Sequence, residues 1–86
     1  METTLTVAAA PLYQQLVDLT VEVLELAPEL VVPEARFAEE LGADSLDLVE
    51  LVEAIEAAFE VRIGDDELAD ITTVAEAFEV VSGKLA

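Results

Sequence analysis

The sequence predicts an all-α domain: a small bundle of three main helices plus one short helix, with a long loop between the first and second helices. Three observations carry this reading. Apolar residues recur at steps of three and four through residues 12–26, 45–59 and 74–81, the period of helices buried along one side. The one alternating stretch, Phe59, Val61 and Ile63, has no evident partner strand and reads as a connecting loop with buried anchors. Prolines at 11, 28 and 33 and glycines at 42, 64 and 83 punctuate the chain between these segments. At 86 residues and 55% hydrophobic composition, this is one domain with enough apolar surface for a core.

Residues 1–10 show no period and are expected to form a loose tail, leaving 11–86 as the domain. Pro11 suits the first turn of a helix, and Pro28 disfavours helix at Ala27, so the first helix is expected to end near there. Leu12, Leu16, Leu19, Val23 and Leu26 form its main stripe, with Val17, Val21 and Leu24 beside it. Residues 28–44 are a long connection; Ala35–Glu40 can hold a helical turn, with Phe37 and Leu41 as anchors. The second helix is expected from Ser45 to Phe59, with Leu48, Leu51, Val52, Ile55 and Phe59 facing the core. Its opposite side carries Asp47, Glu50, Glu53 and Glu56, and Leu46 and Val49 fall among these acids. Asp65, Asp66 and Glu67 place negative charge at the start of a short helix, which its dipole favours. Thr73–Val74–Ala75–Glu76 is a capping box opening a last helix that buries Val74, Ala77, Phe78 and Val81, with Gly83 as its expected stop. Tyr13 fits the border of the first helix.

Charge and composition exclude several functions. Twenty acidic residues against three basic ones give −17 at pH 7, which opposes nucleic-acid binding and adhesion to acidic membranes. Without His or Cys there is no Ser–His machinery, no Cys nucleophile, no disulfide and no Cys-based metal site. Asp65–Asp66–Glu67 lacks the alternating ligands of a calcium loop, and nothing separates the environments of Asp44 and Asp47 as an acid–base pair requires. No apolar run approaches the roughly 18 residues of a membrane span. No Lys or Arg precedes Arg36, whereas a secretory leader opens on positive charge, so a cytoplasmic location is expected.

The segment Leu41–Gly42–Ala43–Asp44–Ser45–Leu46–Asp47 carries the chemistry. Asp-Ser before an apolar-periodic run is a helix N-cap signal, and the plain reading of Ser45 is structural. On that reading, Ser45→Ala loses a cap and costs about 0.5–2 kcal/mol. The second reading is chemical. A serine at a helix start lies in the positive end of the dipole beside free N–H groups, where an attached anion is favoured. Gly42 upstream permits a tight, exposed turn.

Gly42–Ala43–Asp44–Ser45–Leu46–Asp47, followed by Val49–Glu50–Leu51–Val52, resembles the acyl carrier proteins of fatty acid and polyketide synthesis. The likeness runs without apparent gap from Phe37 to Val81 and includes Phe59, Ile63 and Ile71–Thr72–Thr73–Val74; residues 12–26 agree in pattern only. It implies that Ser45 carries 4′-phosphopantetheine through a phosphodiester, supplying the thiol that this Cys-free chain lacks. A phosphopantetheinyl transferase would install the arm from coenzyme A, so the chain would be a substrate and not an enzyme. Acyl chains would ride as thioesters, and longer ones would slip into the interior between the second helix, the short third helix and the first loop. Partner synthases, transferases and reductases would present Arg and Lys patches. Asp44, Asp47, Glu50 and Glu56 match acidic positions common in the family. With Leu46, Val49 and Glu53 they make the expected docking set, on a monomer.

Gly64 stands where a proline is common, Glu53 where an apolar residue is frequent, and Ala57 and Ala58 replace acids; basic residues common in the first helix are missing. These departures bear on the pathway. The residues around Ser45 favour the fatty-acid type, while the first helix and these departures leave a polyketide or other specialised carrier open. A peptidyl carrier is disfavoured, because Ala43 and Asp44 precede the serine where that group resembles Gly-Gly-x-Ser. The rival from another class, an acidic interaction module that binds a basic partner, accounts for the charge but not for Leu46, Val49 and Ser45.

Self-repulsion at −17 makes stability sensitive to ionic strength. The thermal midpoint is expected to rise between 0.01 and 0.1 M NaCl, as the Debye length falls from about 30 to about 10 Å, and to rise at lower concentration with magnesium. Mild acid is expected to stabilise at first. A midpoint that stays flat across this range would contradict the repulsion argument.

Overall fold

A computed structural model describes residues 10–85. Its order is α1 (Ala10–Leu24), a 3₁₀ turn (Pro28–Leu30), α2 (Ser45–Phe59), α3 (Asp65–Ala69) and α4 (Val74–Leu85). The three-plus-one helical bundle is therefore as expected. Apart from Ala10, the first residue of α1, the expected tail lies outside the described residues.

The two stripes of α1 meet the core as their spacing requires: Leu16 and Val17 are buried, and Leu12, Leu19, Val21, Val23, Leu24 and Leu26 pack partly against it. Thr20 is also fully buried, between the stripes. Its hydroxyl donates to the Leu16 carbonyl at 2.8 Å, so a polar residue enters the core with its hydrogen bond made. Tyr13 is half-buried and meets Phe78 edge-to-face, with ring centroids 5.4 Å apart.

The helix stops three residues before the expected Ala27. Glu25 takes a left-handed conformation (φ 55°), and the Leu26 N–H bonds back to the Val21 carbonyl at 3.1 Å. This closing turn ends α1 before Pro28 can. Glu60 repeats it after α2, at φ 56°.

The long connection is built, not slack. Val31, Ala35, Phe37, Leu41 and Ala43 are all buried. The Glu40 and Leu41 N–H groups both donate to the Arg36 carbonyl, which makes the expected helical turn. An isolated antiparallel bridge joins Arg36 to Thr73, and the Val74 N–H donates to the Ala35 carbonyl at 3.1 Å. The loop is thereby sewn to the start of α4. That start is the capping box read from the sequence: Thr73 Oγ1 accepts the Glu76 N–H, and the Glu76 carboxylate accepts those of Thr72 and Thr73.

Gly83 does not stop α4, which runs on to Leu85. Lys84 ties the last turn down, its Nζ 2.8 Å from Glu67 Oε2, and its charge suits the helix C-terminus. Gly83 is thus a helical residue, and a Cβ added there meets nothing within 4 Å. Gly83→Ala is expected to stabilise the fold by roughly 0.5–1 kcal/mol in urea or thermal unfolding, through backbone entropy alone. Destabilisation would mean that the helix does end at a left-handed Gly83.

Candidate functional site

The site is the start of α2, and the residues before it fix its shape. Leu41 and Ala43 are anchored in the core, and the Ala43 N–H donates to the Phe37 carbonyl at 2.8 Å. Between them the chain turns through Gly42 at φ 70°, a conformation that disfavours any side chain. Asp44 follows in extended geometry and is the N-cap. Its Oδ1 accepts the Asp47 N–H at 2.9 Å, and Asp47 Oδ2 accepts the Asp44 N–H at 3.1 Å.

This corrects the structural reading of the serine. The cap is Asp44, and Ser45 is the first helical residue, with its side chain exposed. Its hydroxyl takes no part in the reciprocal Asp44–Asp47 box. Among the first helical N–H groups, that of Asp47 is taken by the Asp44 carboxylate, and those of Ser45 and Leu46 have no intrahelical acceptor because they open the helix. Here, then, are an exposed primary hydroxyl with no capping duty and two unengaged amides at the positive end of a 15-residue helix. The chemistry of this donor set fits a covalently attached phosphodiester.

The rotation of α2 is as read. Leu51 and Ile55 are buried, and Leu48, Val52 and Phe59 pack partly against the core. Leu46 and Val49 remain 63% and 42% exposed, flanked by acids; Leu30, Val32 and Leu85 are the other exposed large apolar residues among those described. Glu50 and Glu53 are exposed beside them, and Asp47 is half-buried. The structure thus groups Asp44, Ser45, Leu46, Asp47, Val49, Glu50 and Glu53 on one solvent-facing end. Glu56 differs: it is half-buried, and its Oε2 accepts the Ile63 N–H at 2.8 Å. Sequence spacing gives no sign of this bond, which crosses seven residues and a helix end. Among the described residues no cavity is open and no acidic cluster is arranged to hold a metal ion.

Ser45 is thus an exposed hydroxyl at a helix start, free of any part in the capping box. The comparisons give the family. The model of the phosphopantetheine attachment site matches residues 14–81. The acyl carrier protein of Thermosynechococcus vestitus is 49% identical over 63 residues, 73% of this chain and 78% of that one. That of a Sulfurovum species is 41% identical over 70 residues, covering 81% and 93%, and that of Syntrophobacter fumaroxidans is 41% identical over 73 residues, covering 85% and 90%. The chain belongs to the acyl carrier protein family; it is a carrier and not a catalyst, and its prosthetic group is covalent 4′-phosphopantetheine.

The corrected cap separates two substitutions. Asp44→Ala is expected to lower the unfolding free energy by about 0.5–2 kcal/mol, and Ser45→Ala to change it by less than about 0.5 kcal/mol. Urea unfolding of the two variants tests this; a larger loss at Ser45 would return the cap to the serine.

Proposed function

We propose that Ser45 bears the phosphopantetheine arm and that the chain presents acyl intermediates to the enzymes of fatty acid synthesis. The observation that carries this is the division of labour at the start of α2: Asp44 and Asp47 cap the helix, and the serine hydroxyl is left exposed. The arm supplies a terminal thiol that holds an acyl group as a thioester. The chain's own residues do the rest. The Ser45 oxygen is the nucleophile toward coenzyme A's pyrophosphate, with 3′,5′-ADP as leaving group and the base supplied by a phosphopantetheinyl transferase. The free Ser45 and Leu46 amides favour the anion that results.

Leu46 and Val49 form the contact with partner enzymes, within the acids Asp44, Asp47, Glu50 and Glu53. Such a surface suits synthases, transferases and reductases that present Arg and Lys around an apolar recess. Glu56 was placed in this set by its position on α2; its bond to Ile63 makes it the least available member. The net charge of −17 opposes self-association, which supports a monomer. No described helix is long and apolar enough to cross a membrane, and we place the carrier in the cytoplasm.

Two tests follow. Incubation with coenzyme A and a broad-specificity pantetheinyl transferase is expected to add one phosphopantetheinyl group to the intact mass, and none to Ser45→Ala; a modified alanine variant would refute the site.

The docking face is tested by kinetics with a partner enzyme at several salt concentrations. Val49→Ala is expected to speed dissociation by on the order of tenfold, since it removes about 1–1.6 kcal/mol of apolar burial, and to leave the salt slope unchanged. Glu50→Lys is expected to slow association and flatten the slope, because exposed ion pairs add little affinity but steer encounter. Both side chains lie outside the core, so a collapsed fold in either variant would contradict the assignment.

A further inference from the structure

We propose that Glu56 and Glu67 form a two-carboxylate latch on consecutive backbone amides of the α2–α3 connection, and that this latch sets how readily the connection parts from α2 to cover an acyl chain. The cargo half of this rests on the carrier reading above. Glu56 holds the turn at three points. Its carbonyl accepts the N–H groups of Glu60 and Val61, and its Oε2 accepts that of Ile63 at 2.8 Å. The next amide, that of Gly64, donates to Glu67 Oε1 at 3.0 Å, and Lys84 Nζ holds Glu67 Oε2 at 2.8 Å from α4. Two neighbouring amides are thus gripped from the helices on either side.

The segment behind this latch is only lightly fixed by burial. Helix α3 has five residues, none of them buried, and Ile63 is the connection's one buried side chain. Regions with few buried contacts open first. The described interior has no open cavity, so a covered chain requires some wall to move. Gly64 explains why two acids are used. Its backbone (φ −78°, ψ 168°) is one a proline can adopt, but a proline has no N–H to offer Glu67. Glu56 is then a positioning residue acting through Ile63, although it shares a helix face with the docking acids.

Amide hydrogen exchange read by NMR, together with thioester hydrolysis, tests the proposal. In the unmodified chain, Glu56→Ala is expected to speed exchange at Ile63 by about tenfold or more, the equivalent of one charge-assisted hydrogen bond, and Glu67→Ala to do the same at Gly64. The amide of Val81 in α4 should stay unchanged. Glu56→Gln keeps an acceptor oxygen, so it should retain most of the protection at Ile63. In the loaded protein, Glu56→Ala should slow hydrolysis of an octanoyl thioester several-fold and leave an acetyl thioester, too short to be covered, unaffected. Unchanged exchange at Ile63 in Glu56→Ala, or a rise shared by Val81, overturns the latch. Equal effects on octanoyl and acetyl hydrolysis overturn its role toward cargo. If Ser45 is the wrong site, intact mass shows it before any exchange is measured, and the unmodified-chain experiment still decides the latch.

Discussion

This fold rests on carboxylates accepting backbone N–H groups. With 20 acids and three cations, side-chain partners are scarce, and the partial positive charges at helix starts and turns take their place. Glu40 accepts the Arg36 N–H, Asp44 and Asp47 accept each other's, Glu56 takes Ile63, Glu67 takes Gly64, and Glu76 takes Thr72 and Thr73. These bonds fall at the loop turn, at the start of every helix after the first, and at the α2–α3 connection. Charge that would otherwise only repel is thereby used to fix the irregular parts of the backbone.

The same constraint shapes the site. A helix start needs an acceptor for its early N–H groups, and serine is a good one. Here Asp44 and Asp47 meet that need, so Ser45 keeps its hydroxyl in solvent while still lying in the field of the helix dipole. The core side of α2 is equally committed, through Leu51 and Ile55. On the proposed reading, the outer strip holding Leu46 and Val49 is what remains for contact with other proteins, set among acids whose charge opposes association of copies.

Much of this was legible in the sequence, because helical periodicity and capping patterns are local. The core sides of α1, α2 and α4, the Thr73–Glu76 box and the exposure of Leu46 and Val49 all follow from spacing within a few residues. The errors arose where backbone geometry or a group in another helix, and not the spacing of residue types, decides. Gly83 reads as a stop until Lys84 is seen to reach Glu67 in another helix. Ser45 reads as a cap because Asp and Ser are both good ones, and only geometry shows that Asp44 takes the position. The end of α1 at a left-handed Glu25 breaks the usual preference for glycine, and Pro28 supplied a misleading later limit. The burial of Thr20 has no signal in the sequence, since its partner is the Leu16 carbonyl, which residue type does not display.

Acid acts on such a molecule in two directions, and the bonded carboxylates set the order. Added protons reduce the net negative charge and with it the self-repulsion. They also remove the acceptors that hold the turns. Glu67 is held below its ordinary value of 4.5, first by the Lys84 hydrogen bond and then by the Gly64 N–H; Glu76 is lowered first by the Thr72 hydroxyl and then by the Thr72 N–H. A group whose pKa is depressed by folding adds stability that is fully present above its unfolded value and is lost as pH falls through the folded one. For these two acids the loss therefore lies below 4.5. Relief of repulsion comes first and failure of the caps second, and it is the bonded carboxylates at the starts of α3 and α4 that separate the two.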